Sequence, residues 1–187
     1  MLFRSGSGAV VAATSLAGSA NAQDAKPGIT SGATDVTLNV NGKDHTLRLA
    51  PNVTLLHALR NDLNLTGCKD VENTSEAGAD TVMIDGKATY AGTVFAIACQ
   101  GKKIQTVESL NNGNIVDEVV LGFVKHDAMQ CGFCTPGFVV ATRAFLNQNP
   151  DATLDEIRKG LGGNLCRCGT YAGITQCALE LAKKGGA

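Results

Sequence analysis

The sequence predicts an α+β fold, a small mixed sheet packed on one helix and followed by an all-helical unit. Three observations predict it. Apolar residues alternate with polar ones between residues 36 and 107. From residue 115 onward they recur at helical spacing. Asn111-Asn112-Gly113 marks the boundary between the two regimes.

Each element has its own signal. Val36, Leu38 and Val40 alternate with polar residues, Asn41-Gly42 turns the chain, and Leu47 and Leu49 alternate again. That is a β-hairpin pattern. Thr54 is placed to cap a helix carrying Leu55, Leu56, Leu59 and Leu63. "TVMI" and "ATY" flank Asp85-Gly86 as a second hairpin, and "KIQTV" (103–107) is a last short strand. In the second half Ile115, Val119, Phe123 and Val124 form one apolar stripe. Thr135-Pro136 reads as an N-cap followed by Pro at the first helical position, opening a helix through Phe145. Thr153 and Glu156 form a capping box for a helix to about Leu161, and a fourth helix covers about Ala172 to Lys183.

The chain has 187 residues, 44% of them hydrophobic, with two Tyr, six Phe and no Trp to fill a core. A net charge of −1 without a basic block argues against nucleic acid. No apolar run reaches the roughly 18 residues of a membrane span. Residues 1–22 read as an export signal, a weakly apolar run closed by Ala20-Asn21-Ala22 in the manner of an A-x-A cleavage site. Residues 23–34 read as a polar linker. The expected location is the periplasm. A twin-arginine route would suit a protein exported already folded around a cofactor, although Arg4 is the lone arginine before the apolar run.

The seven Cys are unevenly placed, and four form two tight pairs, "CGFC" (131–134) and "CRC" (166–168). Each pair precedes an expected helix. Helix N-termini offer unpaired N–H groups and a positive dipole end, which suit the negative charge of an iron–sulfur cluster. Four thiolates are what a [2Fe–2S] cluster takes. They also suit a structural zinc ion, although "CRC" is tighter than the usual zinc spacing. Cys177 falls at helical spacing with Ile174 and Leu181 and reads as core. Cys68 and Cys99 read as small buried residues or free thiols, with a mutual disulfide the alternative in an oxidising compartment. His45, His57 and His126 are scattered singles. No residue stands out as an acid, base or nucleophile of catalysis.

"QCGFCTPG" together with "GNLCRCGTY" resembles the iron–sulfur small subunit of the xanthine oxidase and aldehyde oxidoreductase family of molybdenum hydroxylases. The motifs also resemble those of the separate small subunits of periplasmic aldehyde oxidoreductases. The resemblance covers about residues 35 to 184. It implies a β-grasp, ferredoxin-like domain over 35–110 and a four-helix [2Fe–2S]-binding domain over 114–184. It assigns one cluster to Cys131, Cys134, Cys166 and Cys168. It sets Cys168 and Gln130 against a molybdopterin cofactor that a large partner subunit holds. The function implied is electron transfer from that molybdenum centre to an external acceptor, either a flavin subunit or a c-type cytochrome. A non-redox zinc or scaffold module with the same fold is the alternative.

The loop "ENTSEAGAD" (72–80) is the odd stretch. In the family the first domain holds a second, plant-type cluster. The family register puts its four ligands at Glu72, Ala77, Asp80 and Gly92, none of them Cys. The loop therefore resembles a cluster cradle without thiolates, and electrons would leave from the bundle cluster alone. Glu72, Glu76 and Asp80 are expected to form a solvated acidic loop, with a hard cation such as Ca2+ as the alternative.

Overall fold

The computed structural model describes residues 32–71, 74–111, 113 and 115–185. The expected export signal, nearly all of the linker, and Glu72 lie outside the described residues.

Five strands form one mixed sheet, β1 (Thr34–Val40), β2 (Lys43–Leu49), β3 (Thr81–Ile84), β4 (Lys87–Tyr90) and β5 (Lys103–Gln105). Their order is β2-β1-β5-β3-β4. Among the described residues β1 and β5 form the only parallel pair, so β5 lies between the two hairpins at the centre of the sheet. Both hairpins turn as the sequence predicts. Asn41 and Gly42 have φ of 52° and 79°, and Asp85 and Gly86 have 51° and 79°. Two consecutive positive φ values match the right-handed twist of the flanking strands.

Val36, Leu38 and Val40 are buried against Leu55, Leu56, Ala58 and Leu59. These last four lie on a helix that opens with one α-turn, α1 (Leu55–His57), and continues as a π-helical segment, Ala58–Asp62. Thr54 caps it, its hydroxyl accepting from the His57 amide at 3.2 Å. The sequence predicts a regular helix here. The structure widens it, with Leu63 N–H reaching the Ala58 carbonyl at 3.1 Å, five residues back.

Four helices follow, α2 (Glu118–Lys125), α3 (Thr135–Gln148), α4 (Leu154–Gly160) and α5 (Tyr171–Gly185). The capping box at Thr153 and Glu156 is present, and α5 starts within one residue of expectation. Two expectations need correction. Ile115 and Val124 are 71% and 77% exposed, so the inward face of α2 is Val119 and Phe123, with Val120 partly buried against the same core. Ile115 precedes the helix, and Val124, next to Phe123, points out. Thr135 is not the N-cap of α3. Cys134 is, its carbonyl accepting from Phe138 N–H at 3.1 Å, and the helix runs on to Gln148.

All four residues of β3 are buried, where a half-exposed strand would bury two. Val82 and Ile84 face the α1 side, while Met83 belongs to the helical core with Phe138 and Val140. α3 therefore covers the second face of the sheet. This contact brings the loop before β3 against the cysteine segments.

Candidate metal centre

The two cysteine segments are delivered by helix starts. Cys131–Cys134 leads into α3 and Cys166–Cys168 leads into α5. Gly132 and Gly169 have φ of 82° and 84°, so each turn passes through the left-handed region that glycine adopts freely. The positive ends of two long helices thus point at the thiols.

The thiols neighbour one another as two pairs, Cys131 with Cys168 and Cys134 with Cys166, each close enough to bias the other's ionisation. Burial pushes Cys134 up to about 12, and its bond to Cys166 adds to that. Burial also opposes ionisation of Cys166. Bonds from the Thr170 hydroxyl and backbone, the Cys134 thiol and the Gly169 amide outweigh it and bring Cys166 down to about 7. Cys131 is lowered, first by the Phe133 backbone amide and then by the Cys168 thiol. The largest single influence on Cys168 is the bond from the Cys131 backbone, which lowers it, but the Cys131 thiol, desolvation and the nearby Cys131 and Cys166 charges together leave it raised. Each pair therefore shares protons unequally, and loading a metal releases them.

Three of the thiols, those of Cys131, Cys134 and Cys166, line a cavity of about 390 Å³. Most of the remaining wall is apolar, from Val71, Ala77, Ala79, Phe133, Leu165 and Tyr171, and Arg167 adds one charged group. The donor set fits a [2Fe–2S] cluster, since four Cys held as two pairs supply two thiolates per iron. A single zinc ion would gather four sulfurs to one point.

Some neighbours could not be singled out from sequence. Tyr171 accepts from the Cys166 amide at 2.8 Å, and its ring packs edge-on against Phe138 at 6.0 Å. The Thr170 hydroxyl lies 3.2 Å from Cys166 Sγ. Asn164 is 6% exposed, and its amide donates to Gly78 O at 2.7 Å and Thr81 Oγ1 at 3.1 Å. The signal was the stretch "GNLCRCGTY", which contains all three.

Gln130 is exposed beside Cys131, and Cys168 is exposed as well. Cys68, Cys99 and Cys177 stand apart. Cys68 Sγ donates to Asp80 O at 3.1 Å and Cys99 Sγ to Phe95 O at 3.6 Å, and neither forms a disulfide. Burial raises Cys68 far above the usual thiol range. Cys177 is fully buried between α2 and α5. His57 is paired with Asn61 and His126 with Glu180. The acidic loop needs correction. Asp80 is 2% exposed, and its Oδ2 accepts from Ser75 Oγ at 2.6 Å and Gly92 N at 2.7 Å. Glu76 remains exposed, and among the described residues the loop's carboxylates do not gather with others as a site for one cation.

A [2Fe-2S] binding domain model matches residues 106–179. The aldehyde oxidoreductase iron-sulfur-binding subunit PaoA of Escherichia coli K12 is 36% identical over 154 residues, covering 74% of this chain and 67% of the relative. The nicotine 6-hydroxylase small subunit of Paenarthrobacter nicotinovorans is 37% identical over 146 residues, covering 78% and 88%. Among solved structures, quinoline 2-oxidoreductase from Pseudomonas putida 86 superposes with a TM-score of 0.78 at 33% identity, over 83% of this chain and 98% of that one. The two corrected helix boundaries leave the cysteine motifs that carry the likeness untouched. The chain belongs to the family of iron–sulfur-binding subunits of the molybdenum hydroxylases.

Proposed function

We propose that this chain is the electron-transfer subunit of a molybdenum-cofactor hydroxylase, a β-grasp domain joined to a four-helix [2Fe–2S]-binding domain. The observation that carries this reading is the meeting of Cys131, Cys134, Cys166 and Cys168 as two thiol pairs at the starts of α3 and α5. A [2Fe–2S] cluster, when bound there, takes up and releases one electron at a time. The chain's own residues hold it, bias it and limit its access to water. Thr170 and the backbone at Gly169 direct hydrogen bonds at Cys166. Phe133, Leu165 and Val71 wall the cavity with apolar surface.

A larger partner subunit supplies the molybdenum cofactor and the substrate pocket. Met129, Phe133 and Leu165 are 54%, 49% and 54% exposed around the cysteine segments, an apolar rim suited to that partner. Gln130 and Cys168, both exposed, face the pterin in this reading. The relatives are named for aldehyde, nicotine and quinoline oxidation at 36%, 37% and 33% identity, so substrate choice rests with the partner. The outlet is a small acceptor near the helical half, a c-type cytochrome or a flavin-bearing subunit. Residues 1–22 serve as an export signal and place the complex in the periplasm.

Iron and acid-labile sulfide analysis of the assembled protein, with visible and electron paramagnetic resonance spectra, tests the reading. About two irons per chain, a brown colour and one reduced-cluster signal are expected. A colourless protein with one zinc would overturn it. Two distinct cluster signals would refute the single site.

A further inference from the structure

The carboxylate of Asp80 takes no part in the cysteine site, yet it is held from several sides. Its Oδ2 accepts from Ser75 Oγ and Gly92 N, and its backbone carbonyl accepts from Ala91 N at 3.2 Å and Cys68 Sγ at 3.1 Å. Burying a carboxyl group is costly unless it is hydrogen-bonded; here Oδ2 carries both bonds while the buried Oδ1 has no partner among the described residues, so the group is retained for what Oδ2 holds. Gly92 leaves it just enough room. A Cβ there would run into Ser75 Oγ and sit 3.0 Å from Asp80 Oδ2.

The loop that Asp80 fixes presents its other side to the cysteine segments. Ala77 O accepts from Leu165 N at 2.9 Å. Gly78 O and Thr81 Oγ1 together hold the Asn164 amide. A Cβ on Gly78 would lie 2.6 Å from Gly163 O, and a Cβ on Gly137 would lie 2.5 Å from Gly78 O. The loop is therefore clasped, backbone to backbone, between the start of α3 and the residues just before Cys166.

We propose that Asp80 is a positioning residue for the metal centre: it locks the 75–81 loop, whose Ala77 and Gly78 carbonyls and Thr81 hydroxyl set Asn164, Leu165 and hence Cys166. The proposal rests on the four-cysteine cluster reading. Asp80 never touches the metal. It acts through three backbone and side-chain bonds that cross from the sheet half to the helical half.

The test uses the full chain in its assembled complex. Asp80→Ala removes both acceptor bonds, Asp80→Asn keeps an oxygen for Ser75 and Gly92, and Asn164→Ala removes two of the three crossing bonds without entering the sheet interior. Asp80→Ala and Asn164→Ala should retain iron but shift the reduction potential and broaden the reduced-cluster resonance. They should also speed hydrogen exchange at the Leu165 amide by about tenfold or more. Asp80→Asn should restore wild-type values. Should Asp80→Ala fail to fold, Asn164→Ala alone decides. Wild-type spectra, potential and Leu165 exchange in a folded Asp80→Ala or Asn164→Ala protein would overturn the proposal. If the wild type holds zinc, the cluster reading fails, and Leu165 exchange in the same variants still decides the positioning role.

Discussion

Two loops face each other where the sheet meets the helices, and they are held by different chemistry. The cysteine segments offer four thiols, with the Thr170 hydroxyl beside Cys166 Sγ and the Cys166 amide donating to Tyr171. The 74–81 loop offers no thiol, and every turn of it is tied by conventional hydrogen bonds. Lys69 N reaches Ala79 O at 3.0 Å, Thr81 Oγ1 reaches Gly78 O at 2.6 Å, and Ser75 reaches Asp80. The family register places Ala77, Asp80 and Gly92 where a plant-type cluster would be bound. What stands there is a buried carboxylate network. The opposite segment is tied by bonds at Asn164, Leu165 and Cys166 and keeps its four thiols for a metal.

The largest expected effect separates the two loops outright. Cys134→Ser or Cys166→Ser should abolish the visible absorption and the bound iron, because a hydroxyl replaces a thiolate ligand poorly. Cys68→Ser, Cys99→Ser and Cys177→Ser should leave iron content near the wild-type level, since these thiols bond only backbone carbonyls. Loss of iron in Cys68→Ser would mean that the sheet half still binds metal and that the contrast is wrong.

The next largest effect tests the seam. Met83 is 2% exposed on β3 and packs into the helical core from the sheet side. Met83→Ala should cost about 2–5 kcal/mol of folding stability. Equilibrium urea unfolding of the iron-free chain measures it. If the halves are independent, the variant should lower one transition and leave a second in place. If the seam unites them, a single transition should shift as a whole.

Much of this arrangement was legible in the sequence, and the unread part has a common cause. Asn41-Gly42, Asp85-Gly86 and the Thr153–Glu156 capping box are local chemistry, in which neighbours four residues apart or fewer decide the conformation. The cysteine motifs were legible for the same reason. The inward face of α2 was misjudged because Val124 adjoins the buried Phe123, and apolar identity alone does not say which neighbour points in. The N-cap of α3 was misplaced by one residue, since a cysteine is not a usual cap. Burial of Asp80 and the bridge from Asn164 were not legible at all. Asn164 meets partners 86 and 83 residues away, and no periodicity encodes such a meeting.

A smaller effect comes from the close approach of the two loops. Gly137 sits in the first turn of α3, three residues after Cys134, with no room for a side chain against Gly78 and Ala79. Gly137→Ala should cost about 1–3 kcal/mol through overpacking, in spite of the better helix propensity of alanine. The obstacle is backbone, so the loop itself must shift. The same variant should raise hydrogen exchange at both Leu165 and Thr81. A variant as stable as the wild type, with unchanged exchange, would show that the loops are not tightly clasped.

The smallest effect is a pH dependence confined to the helical half. Glu180 on α5 accepts from Lys125 at 2.6 and 2.7 Å, from His126 at 2.8 Å, and pairs with Lys184 at 3.1 Å. Lys125 first, then His126 and Lys184, hold its carboxyl at about 2 instead of its ordinary 4.5. The folded-state value is depressed, so the folded protein binds this proton less readily than the unfolded chain. The stabilisation is therefore complete above pH 4.5 and is lost as pH falls through 4.5 toward 2. Glu180→Gln removes the titrating group. The wild type should be more stable than the variant at pH 6, and the difference should shrink steadily on acidification to pH 3. Urea unfolding at the two pH values measures it. Hydrogen exchange should place the acid loosening at the α2–α5 seam and spare the loop around Asp80. An equal stability difference at both pH values would show that Glu180 contributes no linked charge, and that acid does not distinguish the two halves.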